Sequence, residues 1–123
     1  MKKTHEAAIE ELILKKLKHP GIVHLEEVIL APKYIGMVLE LCPFGDFFKL
    51  MGTINRHFEL AMKKRKLMIY YLAQILEIID YLHSNFVIHR DLKPENIVLG
   101  KDLRVRIIDF GTAKISSQGV FTK

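Results

Sequence analysis

One stretch, residues 63–83, limits what this chain can become more than any other. Its apolar positions Leu67, Met68, Tyr71, Leu72, Ile75, Ile78, Ile79 and Leu82 recur three and four apart, which predicts a wide-striped amphipathic helix. At 1.5 Å per residue such a helix is roughly 30 Å long. Gln74, Glu77 and Asp80 interrupt the stripe, so it is too short and too polar to cross a bilayer. A helix of this kind needs a surface to bury its stripe, and the residues after it supply β pieces. These are Val87-Ile88, Ile97-Val98-Leu99 and residues 103–108, the last two joined by a turn at Gly100-Lys101-Asp102. Arg104 and Arg106 alternate with Leu103, Val105 and Ile107, the pattern of a half-buried strand.

Upstream, Ile9, Leu12, Ile13 and Leu17 predict an amphipathic helix over residues 4–18, with Thr4 as N-cap and Glu6 at the positive end of the dipole. His19-Pro20-Gly21 stops it, because proline cannot continue the backbone hydrogen bonding. Residues 22–30 and 34–41 are rich in branched and aromatic side chains and flank Ala31-Pro32-Lys33, which predicts a hairpin. Pro43-Phe44-Gly45 breaks the second strand, Asp46 is placed to cap a short helix to about residue 51, and residues 52–59 read as loop. The expected fold class is α+β. It divides into helix plus hairpin (1–41), a joint at 42–45 and a mainly helical unit (46–123).

Half of the 123 residues are apolar and 27 % are charged, a balance that supports a packed core and excludes wholesale disorder. A net charge of +5 and a pI near 9.4 favour anionic partners without selecting among ATP, acidic lipid and nucleic acid. Because that balance is the sole argument for nucleic acid, none is expected as a partner. The lone Cys42 excludes an intrachain disulfide and fits a reducing, cytoplasmic setting. Nothing in the sequence makes that thiol a nucleophile. Glu6, Glu10 and Glu11 interrupt the apolar stretch that a secretory leader would need. The run Lys63-Lys64-Arg65-Lys66 leaves a nuclear address open but reads more simply as a solvated helix start. His5, His24, His57 and His83 lack metal-ligand spacing.

The chemistry gathers after the long helix. His89-Arg90-Asp91-Leu92-Lys93-Pro94-Glu95-Asn96 follows it, and Asp109-Phe110-Gly111 arrives 18 residues after Asp91, at the end of the last strand. The chain here resembles the protein kinase family, whose catalytic loop and metal loop read this way. Lys93 followed by Pro94-Glu95-Asn96 resembles the serine/threonine branch, and the run Ile107-Ile108-Asp109-Phe110-Gly111-Thr112-Ala113-Lys114 resembles the phosphoinositide-dependent branch of the AGC group.

The resemblance implies a partial kinase fold, with a small-lobe remnant of helix C and hairpin and the mainly helical start of the large lobe. ATP and Mg are the implied cofactors, and a serine- or threonine-bearing protein is the implied substrate, with regulatory proteins as further partners. Phosphoryl transfer needs positioning and charge neutralisation more than covalent help. Asp91 would accept the substrate hydroxyl proton, Asn96 and Asp109 would hold magnesium, and Lys93 would offset charge on the γ-phosphate. Leu39 would be the gatekeeper, with adenine bonded to the backbone of Glu40 and Cys42 and Val98 as the apolar floor. Glu95 falls beside these on the nucleotide side. Asp46 matches a ribose-contacting position, with a helix cap as the competing role. Glu10, nine residues before His19, matches the helix-C glutamate, with Glu11 as its rival. Leu14, Leu25, His89 and Phe110 fall where the family stacks a hydrophobic spine, and Arg90 matches the arginine that pairs with an activation-loop phosphate.

The family pattern also has parts that this sequence does not show. No glycine-rich loop or strand lysine precedes Glu10, and no Ala-Pro-Glu motif follows residue 114. The expectation is therefore a kinase domain truncated at both ends, weak or inactive alone. The alternative is a non-catalytic fragment that binds partners or competes for them.

Overall fold

The computed structural model describes residues 4–47, 49–50 and 58–116, with only the backbone described for Thr4 and residues 58–64. Helix α1, Thr4–Lys16, leads to the antiparallel hairpin β1, Leu25–Leu30, and β2, Ile35–Leu39. Helix α2 spans Phe58–Ser84, then come β3, Val87–Ile88, a 3-10 turn at Pro94–Asn96, β4, Ile97–Leu99, β5, Val105–Ile107, and β6, Lys114–Ile115. Among the described residues the strands form three antiparallel pairs, β1 with β2, β3 with β6 and β4 with β5.

Helix α1 stops where Pro20 and Gly21 forbid its continuation, and the following loop lies on α2. The His19 and Tyr81 rings stack at 4.8 Å, and the Lys18 amide donates to the Tyr81 hydroxyl at 3.1 Å. Gly21 comes so close to Ile78 that a Cβ there would overlap the isoleucine side chain. Residues 22–24 do not extend β1, as the run of branched residues predicted. The chain instead crosses strand β5: Ile107 donates its N–H to the Gly21 carbonyl at 2.7 Å, and Val23 donates to the Ile107 carbonyl at 3.3 Å. On the other edge of the ribbon, Asp46 bridges to Val98. The β4–β5 ribbon is thus clasped on both sides by single bridges, and it forms the seam between the two halves of the fold.

That seam is also the core. Ile13, Leu14 and Leu17 of α1, Ile78 and Leu82 of α2, Val105 and Ile107 of β5, and Phe110 pack into one buried cluster. Each side chain of this size contributes about 1.5–3 kcal/mol when withdrawn from water. Leu103 was expected in the last strand but stands in the turn, exposed, with φ 63°. The Gly100 carbonyl accepts from its N–H at 2.9 Å, so the turn claims it before the strand begins.

Helix α2 starts at Phe58, inside the stretch that read as loop. Its inward side carries Tyr71, Gln74, Ile78 and Leu82, while Leu72, expected inside, is 52 % exposed. Gln74 takes an inner place because its side-chain oxygen accepts the Val105 N–H at 2.9 Å. Ile69, Leu72 and Leu76 form an exposed apolar row on the other side, and Tyr70 is exposed on a flank. No described helix is long and apolar enough to cross a membrane. The predicted end of the short helix near residue 51, residues 52–57, and the side chains of Thr4, Lys63 and Lys64 lie outside the described residues. The Asp46 cap is observed: its carboxylate accepts the Lys49 N–H at 3.0 Å, and its carbonyl accepts from Leu50 at 3.1 Å.

Candidate active site

A cavity of about 720 Å³ opens between the α1–hairpin half and the β4–β5 ribbon. Ala7 and Glu10 of α1, Leu39 at the end of β2, Glu40 just after it, Cys42 of the joint, Val98 of β4 and Ile108-Asp109 all face it. The two glutamates of α1 part company. Glu10 is buried at the cavity, whereas Glu11 points outward and pairs with Lys15 one turn on. Glu10 also reaches the far half of the fold, since a side-chain oxygen accepts the Phe110 N–H at 3.1 Å.

The loop after β3 is built from backbone and side-chain bonds that leave little freedom. His89 accepts the Asp91 N–H on Nδ1 at 3.2 Å, so Nε2 carries the proton that is donated to the Ile108 carbonyl at 2.8 Å. Its ring meets Phe110 edge-on at 4.9 Å, within the range of a favourable aromatic pair. Arg90 has φ 71° and donates from Nε to the Thr112 carbonyl at 2.8 Å, tying this loop to the segment after Gly111. Asn96 is buried, and its amide nitrogen donates to the Asp91 carbonyl at 2.9 Å and to the Asp91 carboxylate at 3.4 Å. The Ile108 N–H donates to the Asn96 carbonyl at 3.0 Å, which sets Asp109 beside the same loop. Asp109 itself has φ 62° and accepts the Gly111 N–H at 3.4 Å. Non-glycine residues in that region cost of order 1–3 kcal/mol each and concentrate at functional sites.

Not every residue singled out in the sequence reaches the cavity. Asp46 caps its helix and does not line the cavity wall, and Glu95 is exposed in the 3-10 turn. Lys93 lies beside Asp91, Nζ to Oδ1 3.7 Å, with both side chains open to solvent. Ala7 and Ile108 line the wall although they were not singled out. Ala7 stands one turn before Glu10 and Ile108 immediately before Asp109, so spacing alone could have found both. Cys42 lines the cavity as a partly buried thiol; burial foremost, then the nearby Glu40 carboxylate, push its pKa up.

In size and in its mainly apolar lining with few polar groups the cavity suits a cofactor-sized molecule. No three described His, Cys, Asp or Glu side chains gather closely enough to hold a metal by themselves. Magnesium needs no such cage when it arrives with phosphates, since one or two hard oxygen donors suffice. The Asp109 carboxylate and the Asn96 carboxamide oxygen are donors of that kind, the Asn96 nitrogen being committed to Asp91.

A family model described as the protein kinase domain matches residues 1–123, the whole chain. The chain belongs to the protein kinase family. Its relatives place it on the serine/threonine side. It is 41 % identical over 115 residues to serine/threonine-protein kinase PKH2 of Saccharomyces cerevisiae, covering 93 % of this chain and 10 % of that protein. It is 36 % identical over 123 residues to serine/threonine protein kinase OSK3 of Oryza sativa subsp. indica, covering 100 % and 23 %. It is 35 % identical over 112 residues to 3-phosphoinositide-dependent protein kinase 1 of Arabidopsis thaliana, covering 91 % and 22 %. This kinase chain therefore spans between a tenth and a quarter of the length of these relatives. The expected α+β partial kinase fold and the resemblance to the phosphoinositide-dependent branch agree with these matches.

Proposed function

We propose that this chain supplies the catalytic and metal loops of a serine/threonine protein kinase that moves the γ-phosphoryl group of ATP to a protein hydroxyl. The observation that carries this reading is the bonding of Asn96 on both sides: its side chain to Asp91 and its backbone to Ile108, next to Asp109. Those bonds link a candidate carboxylate base to two oxygen donors, of which Asp109 lines the cavity while Asp91 and Asn96 stand outside its lining.

Magnesium, when bound with the nucleotide, would neutralise charge on the phosphates. The protein's own groups do the rest. Leu39 and Val98 hold the adenine between apolar walls, and the backbone at Glu40 and Cys42 reads its edge. Asp91, fixed by Asn96, accepts the proton of the attacking hydroxyl. Lys93, 3.7 Å from that carboxylate, offsets charge on the phosphoryl oxygens in flight. Glu10 steadies the Asp109-Phe110 turn through the Phe110 amide.

The test is phosphate transfer to a serine-containing protein by the full chain and by Asp91→Asn. The substitution should lower turnover by about 10²–10⁴-fold, the range of a general base, with nucleotide binding retained. Unchanged turnover in that variant would remove Asp91 from the role. A second reading, a partner-binding fragment, is favoured by one feature, the exposed row Ile69, Leu72 and Leu76 on α2. Stable complexes formed without nucleotide, together with no ATP binding, would decide for it.

A further inference from the structure

Glu40, at the entry to the joint, stands between two clefts. In front lies the cavity of about 720 Å³, and behind lies another of about 310 Å³, lined by Leu14, Pro20, His24 and Arg106 among others. Glu40 borders both. A residue between two clefts has fewer neighbouring atoms than one in the core, so directional bonds carry more of its positioning.

Arg106 makes good that deficit. It lies on β5 between the buried Val105 and Ile107, so strand alternation sends its side chain to the opposite face. Its cross-strand partner is Val98, whose side chain lines the front cavity. Nε donates to the Glu40 carboxylate at 3.1 Å, Nη2 donates to Asp102 at 3.2 Å, and Nη1 donates to the carbonyls of Arg104 and Val105. The same Glu40 oxygen accepts the His24 N–H at 3.0 Å, while the Glu40 N–H donates to the His24 carbonyl at 2.9 Å. The Arg106 side chain is 12 % exposed and that of Glu40 23 %. Burial opposes the arginine's charge, but Asp102 and Glu40 outweigh it and raise its pKa above the ordinary guanidinium value. The turn leaves room for this group: a Cβ on Gly100 would come within 2.8 Å of the Arg106 guanidinium carbon.

We propose that Arg106 is a positioning residue for the nucleotide: it pins Glu40 to strand β5 and so fixes the joint's backbone where adenine is read. This rests on the nucleotide reading of the front cavity. A partly buried ion pair adds little net stability, because desolvation offsets its attraction, but its directional bonds fix geometry. The signature of the latch is therefore local.

Two measurements on the full chain test it. Amide hydrogen exchange without nucleotide should speed up at residues 40–42 in Arg106→Gln, with residues 71–82 of α2 as protected as before. Affinity for a fluorescent ATP analogue should fall by about 2- to 30-fold in the same variant, the range for residues that act through others. Arg106→Lys keeps the charge but not the fork, and should fall between the two in both measurements. Unaltered exchange at residues 40–42, or equal loosening of joint and α2 in both variants, would overturn the latch. If the unsubstituted chain binds no ATP analogue, the nucleotide reading fails and the positioning role with it, while the exchange result still decides whether Arg106 holds the joint.

Discussion

The amide of Phe110 donates to a carboxylate oxygen of Glu10 across 3.1 Å and 100 residues of chain. Phe110 is fully buried and Glu10 is 2 % exposed, so in the intact fold the protein and not water supplies this acceptor. Glu10→Ala should cost about 1–3 kcal/mol by stranding a buried donor, whereas Glu10→Gln keeps an acceptor and should cost less. Thermal unfolding of the two variants side by side checks the order. Equal losses would mean that the bond is not what Glu10 contributes.

Gly21 is where the loop after α1 meets α2. Any side chain there overlaps Ile78, whose own side chain is 2 % exposed. Gly21→Ala should cost about 1–3 kcal/mol by overpacking, measured in urea. Adding Ile78→Val, which removes one methyl group, should recover part of that loss. Failure of the double variant to gain anything over Gly21→Ala would place the strain elsewhere.

The raised pKa of Cys42 has a definite sign in two experiments. A thiol whose folded pKa is raised favours the protonated form, so its stabilising contribution is complete below the unfolded value and is lost as pH rises through the folded one. Alkylation by iodoacetamide should accordingly be slow at neutral pH, with a midpoint above that of a free thiol. Saturating ATP should slow it further, because Cys42 lines the cavity. A midpoint below the free-thiol value would contradict the burial that raises it.

Asp102 runs the other way. The Arg104 N–H bond foremost, and then Arg106, hold its carboxyl below the usual carboxylate range. Its contribution is present above the unfolded value and disappears as pH falls through the lowered one. Asp102→Asn should therefore lower the melting temperature at neutral pH and match the unsubstituted chain in strong acid. A gap that persists unchanged in acid would rule out charge as its origin.

The apolar row on α2 should be separable from stability. Leu72 and Leu76 are 52 % and 58 % exposed, so Leu72→Lys with Leu76→Glu should shift stability by no more than about 0.5 kcal/mol per site. Light scattering at rising concentration should fall in the same variant. A collapse of the fold would show that these side chains support the interior.

Much of this arrangement was legible in the residues, and the exceptions have physical reasons. Asp91, Asn96 and Asp109 were marked by motif, and their loop is the one the structure draws together. Glu10 was preferred to Glu11 for its spacing to His19, and the roughly 100° of helix rotation between neighbours turns Glu11 away from the apolar stripe. The inner side of α2 was misjudged at Leu72 and Gln74 because this helix is apolar around most of its girth. A glutamine goes inside for one hydrogen bond, to Val105, which lies 31 residues away. Asp46 fitted two roles equally in sequence, and the observed bonds are those of a cap. The Arg106–Glu40 pair spans 66 residues, beyond any local spacing rule.

Leu103 and Asp109 both hold left-handed backbone, at φ 63° and 62°. To a search guided by heat resistance both sites invite glycine, which relieves a backbone penalty at each, smaller for the aspartate than for the leucine. At residue 103 the change removes an exposed leucine from a turn. At residue 109 it deletes the carboxylate that faces the cavity. Variants bred for robustness alone would thus drift toward a sturdier protein that has lost the proposed magnesium donor, and screening for nucleotide retention alongside would be needed to keep the two outcomes apart.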